Sequence, residues 1–254
     1  MILDRNTSPP LSARSVVAST LLGMHPPELP ARVLARSGEL FGIAEGTTRT
    51  ALSRMVAAGE LVVADSTYRL SGRLLDRQAR QDLSRRPPRW GWEGRRWRLA
   101  VVMAERRPAE ERSALRSALL AARYAELREG VWTRPDNLPG VRPRAPGCEW
   151  IKGEFAEPAA TAATLWDLEG WASRADGLLA TVAGWTPRLA AEGVDVLAPT
   201  FVVSADVLRH LQADPLLPRE LLPAAWPGDA LRKAYDAFDA AFRRAWRDWY
   251  RSVR

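Results

Sequence analysis

Between Glu45 and Leu70 the chain changes its hydrophobic rhythm once, at a glycine, and that change restricts the fold more than any other stretch. Ala51, Leu52, Met55 and Val56 recur at i, i+1, i+4 and i+5, which is one stripe of a 3.6-residue helix. Gly59 stops the helix. Leu61-Val62-Val63-Ala64 and Tyr68-Arg69-Leu70 follow as two short strands around the polar turn Asp65-Ser66-Thr67. A helix that must bury one side, entered from above and followed at once by a hairpin, needs other elements to cover it. Two further helices are predicted upstream. Ser12 caps one that runs to about Gly23, with Val16, Val17, Thr20 and Leu21 inward. After the break at Pro26-Pro27 a second runs from Ala31 to about Phe41, with Pro30 in its first turn and Gly42 at its end.

Three helices and a strand pair in this order predict a winged helix-turn-helix, whose third helix enters the DNA major groove. The outward face of that helix presents Thr47, Thr50, Ser53 and Arg54, with Arg49 flanking, and carries no carboxylate between Glu45 and Glu60. Thr47, Thr48, Thr50 and Ser53 are expected to make short polar contacts in the groove, and Arg49 and Arg54 guanine or phosphate contacts. Ser66 and Thr67 at the tip, with Tyr68 and Arg69, are expected to hold the wing on the backbone. From its own residues alone, the helix also reads as an ordinary amphipathic surface helix.

Charge adds a second signal. The formal net charge is +7, and only Lys152 and Lys233 are lysines. Between Ser71 and Arg107 eleven arginines face four carboxylates, a net of +7, so the rest of the chain sums to zero. A basic segment beside a candidate recognition helix is the footprint of a polyanion binder, and its plain alternative is a solvated linker.

The 254 residues suggest two or three domains. We read 1–86 as the winged helix, 87–157 as a central α+β domain of the ferredoxin type and 158–254 as an α-helical domain, an α+β multidomain chain. The first ten residues are expected to be disordered. Trp90, Trp92 and Trp97 form a cluster suited to an interdomain hydrophobic contact or to stacking on a ring. A strand from Arg98 to Met103, a helix from Pro108, one strand from Tyr124 to Trp132 and another from Glu149 to Phe155 give β-α-β-β, with no fourth strand evident. Helices are predicted over Thr164–Trp185, over Thr200–Leu211 with Ser204 as a possible cap, and from Asp229 to about Arg251. The last carries an aromatic stripe suited to a core or a dimer interface. No apolar run approaches the roughly 20 residues of a membrane helix, and the first ten residues lack the layout of a secretion signal. A soluble, cytoplasmic protein is expected. Cys148 is the single cysteine, and His25 and His210 are the only histidines, so no zinc cluster and no metal or other cofactor is expected.

Three separated stretches carry a family resemblance: Gly46 to Leu61, Arg128-Glu-Gly-Val-Trp-Thr-Arg-Pro-Asp-Asn137, and Pro215 to Pro223 with Trp226-Pro-Gly228. In that order they resemble the PaaX family of bacterial transcriptional repressors, across most of the chain. The resemblance implies an N-terminal winged helix, a central domain similar to a CRISPR adaptation nuclease, and an α-helical C-terminal domain. It also implies a homodimer on a double-stranded DNA operator, with phenylacetyl-CoA releasing the best-known members. For this chain the implied partner is a small-molecule effector, an acyl-CoA among the candidates, with arginines between Arg85 and Arg98 available to its phosphates.

The nuclease relatives use an acid at the end of their first strand, where this chain has Val102-Met103-Ala104 and then Glu105. Nuclease activity is therefore not carried over. No Gly-x-Ser-x-Gly, Gly-x-x-x-x-Gly-Lys or His-Glu-x-x-His is present either, so the expectation is a regulator and not an enzyme. The competing readings are a metal-dependent nuclease built on the central domain and using Glu105, and a DNA-binding protein with no effector.

Overall fold

The computed structural model describes residues 11–88, 91–92, 95–103, 107–138, 143 and 145–252. The expectations placed on residues 1–10, Trp90 and Glu105 lie outside them. The fold is mixed α+β, with a three-stranded and a four-stranded antiparallel sheet and nine α-helices among the described residues. Two compact units form. One has its described residues within Met1–Gln81, Ala180–Leu208 and Ala234–Arg254, the other within Asp82–Leu179 and Arg209–Lys233. The helices after residue 158 thus contribute to both units, whereas the sequence suggested consecutive segments.

In the first unit, α1 (Ala13–Leu22) starts where the Ser12 hydroxyl accepts the Ser15 N–H at 3.1 Å. β1 (Glu28–Pro30) leads directly into α2 (Ala31–Ser37), a 3-10 turn over Gly38–Phe41 and a left-handed Gly42. Next come α3 (Glu45–Ala57), β2 (Leu61–Ala64), β3 (Thr67–Leu70) and α4 (Gly72–Arg85), which belongs to this unit as far as Gln81. The sheet order is β1-β3-β2. Leu21, Leu34, Leu52, Met55, Leu61 and Leu70 meet in one core, so each helix and the hairpin donate to the same apolar centre. β1 was not expected. Its register opposes Glu28 to Arg69 and Pro30 to Thr67, and Pro30 is tolerated because β1 is an edge.

The hairpin turn is tighter than predicted. Asp65 and Ser66 have φ of 48° and 59°, the two left-handed residues of a two-residue turn, and Thr67 already pairs with Ala64. The tip is therefore Asp65-Ser66, and Thr67 belongs to the strand.

In the second unit, β4 (Trp97–Val102), α5 (Ala109–Ala121), β5 (Ala125–Arg128), β6 (Val131–Pro135) and β7 (Cys148–Gly153) form a sheet of order β5-β6-β4-β7, with every neighbour antiparallel. The single strand expected over 124–132 is two strands. Arg128 pairs with Val131 across Glu129-Gly130, which supplies the missing fourth strand. β4 alternates as a doubly covered strand should: Ala100 and Val102 pack with Leu115 and Leu119 of α5, while Trp97 and Leu99 pack on the other side. That other side is closed by α6 (Pro158–Leu165) and by Leu217, Leu221 and Leu222.

The helix expected over 164–185 divides at Trp166-Asp167 into α6 and α7 (Leu168–Glu192). The Asp167 carboxylate accepts the Gly170 N–H at 2.9 Å and so starts a new helix. α8 (Leu197–Gln212) begins earlier than predicted and has Ser204 in its interior, bonded to the Tyr235 hydroxyl at 2.8 Å, so Ser204 is not a cap. In α9 (Gly228–Ser252), Leu231, Tyr235, Phe238, Ala245, Trp246 and Trp249 are all buried within the chain, and Tyr250 packs on the first unit's core. The aromatic stripe is core.

Candidate nucleic-acid interface

α3 has 13 residues and one committed side. Thr48, Leu52 and Met55 are at most 1% exposed, and Ala51 and Val56 are half-buried beside them. The opposite side leaves Thr47, Arg49, Thr50, Ser53 and Arg54 exposed together.

Thr48 does not join them. It is fully buried, and a Cβ on Gly38 would collide with its hydroxyl, so the pair marks the close approach of the 3-10 turn to α3. Its hydroxyl donates to the Ala44 carbonyl at 3.4 Å. We therefore remove Thr48 from the set of possible contacts. It lies three residues before Ala51, four before Leu52 and seven before Met55, so helical spacing already puts it on the buried stripe, which the sequence reading overlooked.

The exposed hydroxyls are also oriented. Thr50 Oγ1 donates to the Gly46 carbonyl at 2.9 Å and Ser53 Oγ to the Arg49 carbonyl at 3.2 Å. With the proton held by the helix, each presents lone pairs outward, which suits the amino donors of adenine or cytosine. Arg49 is held in part by Glu45 of the same helix at 2.5 Å. The Arg54 guanidinium has no hydrogen bond or ion pair among the described residues and offers its whole fork outward.

The hairpin is more engaged than its sequence suggests. Ser66 is exposed, but its carbonyl accepts the Ala31 N–H at 2.8 Å, fastening the tip to the first turn of α2. Tyr68 is half-buried against the core, and Arg69 pairs with Glu28 at 2.6 Å. Val62 and Val63 are 47% and 48% exposed on the outer strand β2, an apolar pair that the sequence reading overlooked.

Glu60 was noted only as the end of the acid-free stretch, yet its side chain is 2% exposed. Arg14 Nε and Nη2 donate to its two carboxylate oxygens at 3.0 and 2.5 Å, and Arg73 bonds the same group. The Arg14 hydrogen bonds, with Arg73, hold the carboxyl below the usual carboxylate range although burial works against them. This clamp ties the end of α3 to α1 and α4.

The basic segment is not one patch. Arg73 belongs to Glu60 in the first unit, whereas in the second unit Arg98 pairs with Asp136 and Arg107 donates to the Pro146 carbonyl at 2.7 Å. Arg95 and Arg96 are exposed. The described tryptophans are not a stacking platform. Trp97 is fully buried, edge-on to Phe155 at 4.9 Å and stacked near Trp166 at 6.3 Å, and Trp92 donates to the Arg96 carbonyl.

The Arg128–Asn137 motif is also structural. Arg134 is 2% exposed, and its guanidinium donates to the carbonyls of Pro135 and Ala122 and to the Asn137 side chain. Burial pushes its pKa down to about 10, so it stays charged at neutral pH. Asn137 in turn donates to the Leu216 carbonyl at 2.8 Å, joining this motif to the one that begins at Pro215.

Comparison with known proteins identifies the family of the two ends of the chain. Residues 12–74 match the family model described as PaaX-like protein, and residues 166–252 match PaaX-like protein C-terminal domain. The chain belongs to the PaaX-like family. A solved structure, the uncharacterized protein Rv0674 from Mycobacterium tuberculosis, is 43% identical over 92% of this chain and 97% of its own, with a TM-score of 0.68. No curated protein matches the chain. Among the described residues no helix is long and apolar enough to cross a membrane.

Proposed function

We propose that the chain is a sequence-specific, DNA-binding transcriptional regulator acting in the cytoplasm as a dimeric repressor, relieved by a small-molecule effector for which an acyl-CoA thioester is the first candidate. In this reading α1, α2, α3 and the β2–β3 hairpin are a winged helix-turn-helix, and the four-stranded sheet with α5 is a ferredoxin-like domain in which no helix among the described residues joins β6 to β7, while α6, after β7, covers the face opposite α5. The observation that carries the reading is the exposed side of α3. Thr47, Arg49, Thr50, Ser53 and Arg54 stand together there, while Thr48, Leu52 and Met55 anchor the helix beneath them. Dimerisation and relief by an effector come from the family resemblance, which also requires two half-sites about one helical turn or a multiple apart.

The test is a gel shift of the full chain on DNA spanning its own promoter and those of the adjacent genes. Arg54→Ala should weaken the specific complex by roughly 5- to 150-fold if Arg54 makes a bidentate base contact, with the thermal midpoint unchanged. Binding by the variant equal to wild type removes this face from the interface. A thermal-shift screen against CoA esters and free aromatic acids separates a sensor from an effector-independent binder.

A further inference from the structure

The second unit contains a cavity of about 1090 Å³ between α5 and the β5–β6 hairpin. Its two sides differ in charge. Arg107, just before α5, and Arg112, Ser113 and Arg116 on the helix line one side, and Glu126 and Glu129 of the β5–β6 hairpin line the other. Arg116 is already engaged, pairing with Glu126 at 2.6 Å and lying 5.2 Å from the Trp132 ring centroid. Arg107 and Arg112 are held differently. Arg112 Nη1 donates to the Arg107 carbonyl and Arg107 Nη2 to the Pro146 carbonyl, each at 2.7 Å. Carbonyls fix the position of a guanidinium without cancelling its charge. Neither has a carboxylate partner among the described residues, so each keeps unused N–H donors.

Gly147 adds an independent sign that Arg107 is seated. Its φ is +70°, and a Cβ there would run into the Arg107 guanidinium. A side chain at that point would displace the cation. Glu110 and Glu111 in the first turn of α5 are not among the cavity walls.

The geometry points to a binding site for a small phosphorylated molecule that also carries hydroxyls, of nucleotide or sugar-phosphate type. Two guanidinium forks and the Ser113 hydroxyl on the α5 side match the several acceptor oxygens of a phosphate. Glu129 and Glu126 on the hairpin side accept hydrogen bonds from the hydroxyls, as acids do from a ribose. A nucleic-acid backbone is a poorer occupant, because its next phosphates would run against these two carboxylates. The volume is at the upper end for small-molecule cavities, large enough for a base or sugar with its phosphates. This assignment stands whether or not α3 reads DNA.

Calorimetry on the full chain with ADP and with inorganic pyrophosphate tests it. ADP is expected to bind saturably, one per chain, and Arg112→Ala to weaken it at least tenfold. Arg128→Ala removes an exposed arginine outside the cavity and should leave the affinity within twofold. Glu129→Gln should weaken ADP while leaving pyrophosphate unchanged or tighter, since only ADP has ribose hydroxyls and only repulsion acts on pyrophosphate. The assignment is overturned if neither probe binds, if Arg112→Ala binds ADP as wild type does, or if Glu129→Gln weakens both probes equally. Displacement of ADP by a ten-residue oligothymidylate that binds more tightly also overturns it, giving the groove to nucleic acid. Circular dichroism and thermal midpoints confirm that each variant is folded.

Discussion

Replacing Glu60 by glutamine removes the charge from the clamp at the end of α3 while keeping its shape. The amide leaves one oxygen to accept from Arg14 and Arg73, and its NH2 faces guanidinium donors. Breaking a fully buried ion pair by removing one partner costs about 3–5 kcal/mol. Here the carboxylate is 2% exposed but the Arg14 and Arg73 side chains are 50% and 73% exposed, so both cations rehydrate when released. Solvent screening cuts the figure by roughly half, to about 1.5–2.5 kcal/mol. For a chain of this size that is a fall in Tm of about 3–10 °C at neutral pH. The sign of the pH dependence is fixed as well. Glu60 has a folded pKa below its unfolded one, so its contribution is complete above the unfolded value and disappears as pH falls through the folded value. Differential scanning calorimetry of wild type and Glu60→Gln from pH 7 downward should show the two midpoints converging once pH drops below the ordinary glutamate range near 4.3. A gap under 1 °C at pH 7, or a gap that persists unchanged at the acid end, refutes the clamp.

Three further outcomes follow from the same structure. If Arg54 contacts a phosphate and not a base, Arg54→Ala should reduce the log–log salt slope of operator binding by about 0.9, read by fluorescence anisotropy across a salt series. Arg232 donates to Asp214 at 2.6 Å with the two side chains 10% and 2% exposed, so Arg232→Ala, which leaves a buried carboxylate without its cation, should cost about 3–5 kcal/mol in urea denaturation. Burial lowers the His210 pKa against the Trp171 carbonyl bond that raises it, so stability should fall as pH drops below about 6.5; in His210→Gln the pH dependence of Tm between 7 and 5 should flatten.

How much of this was legible depended on whether a residue's role was set by its neighbours in sequence. α1 could be read because Ser12 and Ser15 make its cap locally, and α3 because its stripe and Gly59 lie within fifteen residues. β1 could not, since three residues after a proline pair, the last itself a proline, carry no period and become a strand only when β3 offers its free edge. The β5–β6 hairpin was hidden for the opposite reason: strand-forming residues on both sides of Glu129-Gly130 concealed a two-residue turn. At the interface, Thr47, Arg49, Thr50, Ser53 and Arg54 follow from helical spacing alone. Thr48 lies on the buried side by the same spacing, whereas Glu60 and Arg69 depend on Arg14 and Arg73 and on Glu28, partners that local pattern does not bring together. Charge counting misled in a similar way, because seven net positive charges confined in sequence are shared between two units in space.

The bond from Ala31 to Ser66 has a practical side. Hairpin tips are ordinarily the most forgiving places to splice foreign peptide into a small domain. Here the tip residue is also the fastening for the first turn of α2, and the two-residue turn has no slack. A tag inserted between Asp65 and Ser66 would unlatch α2 from the hairpin, so labels for imaging or capture belong elsewhere on the chain.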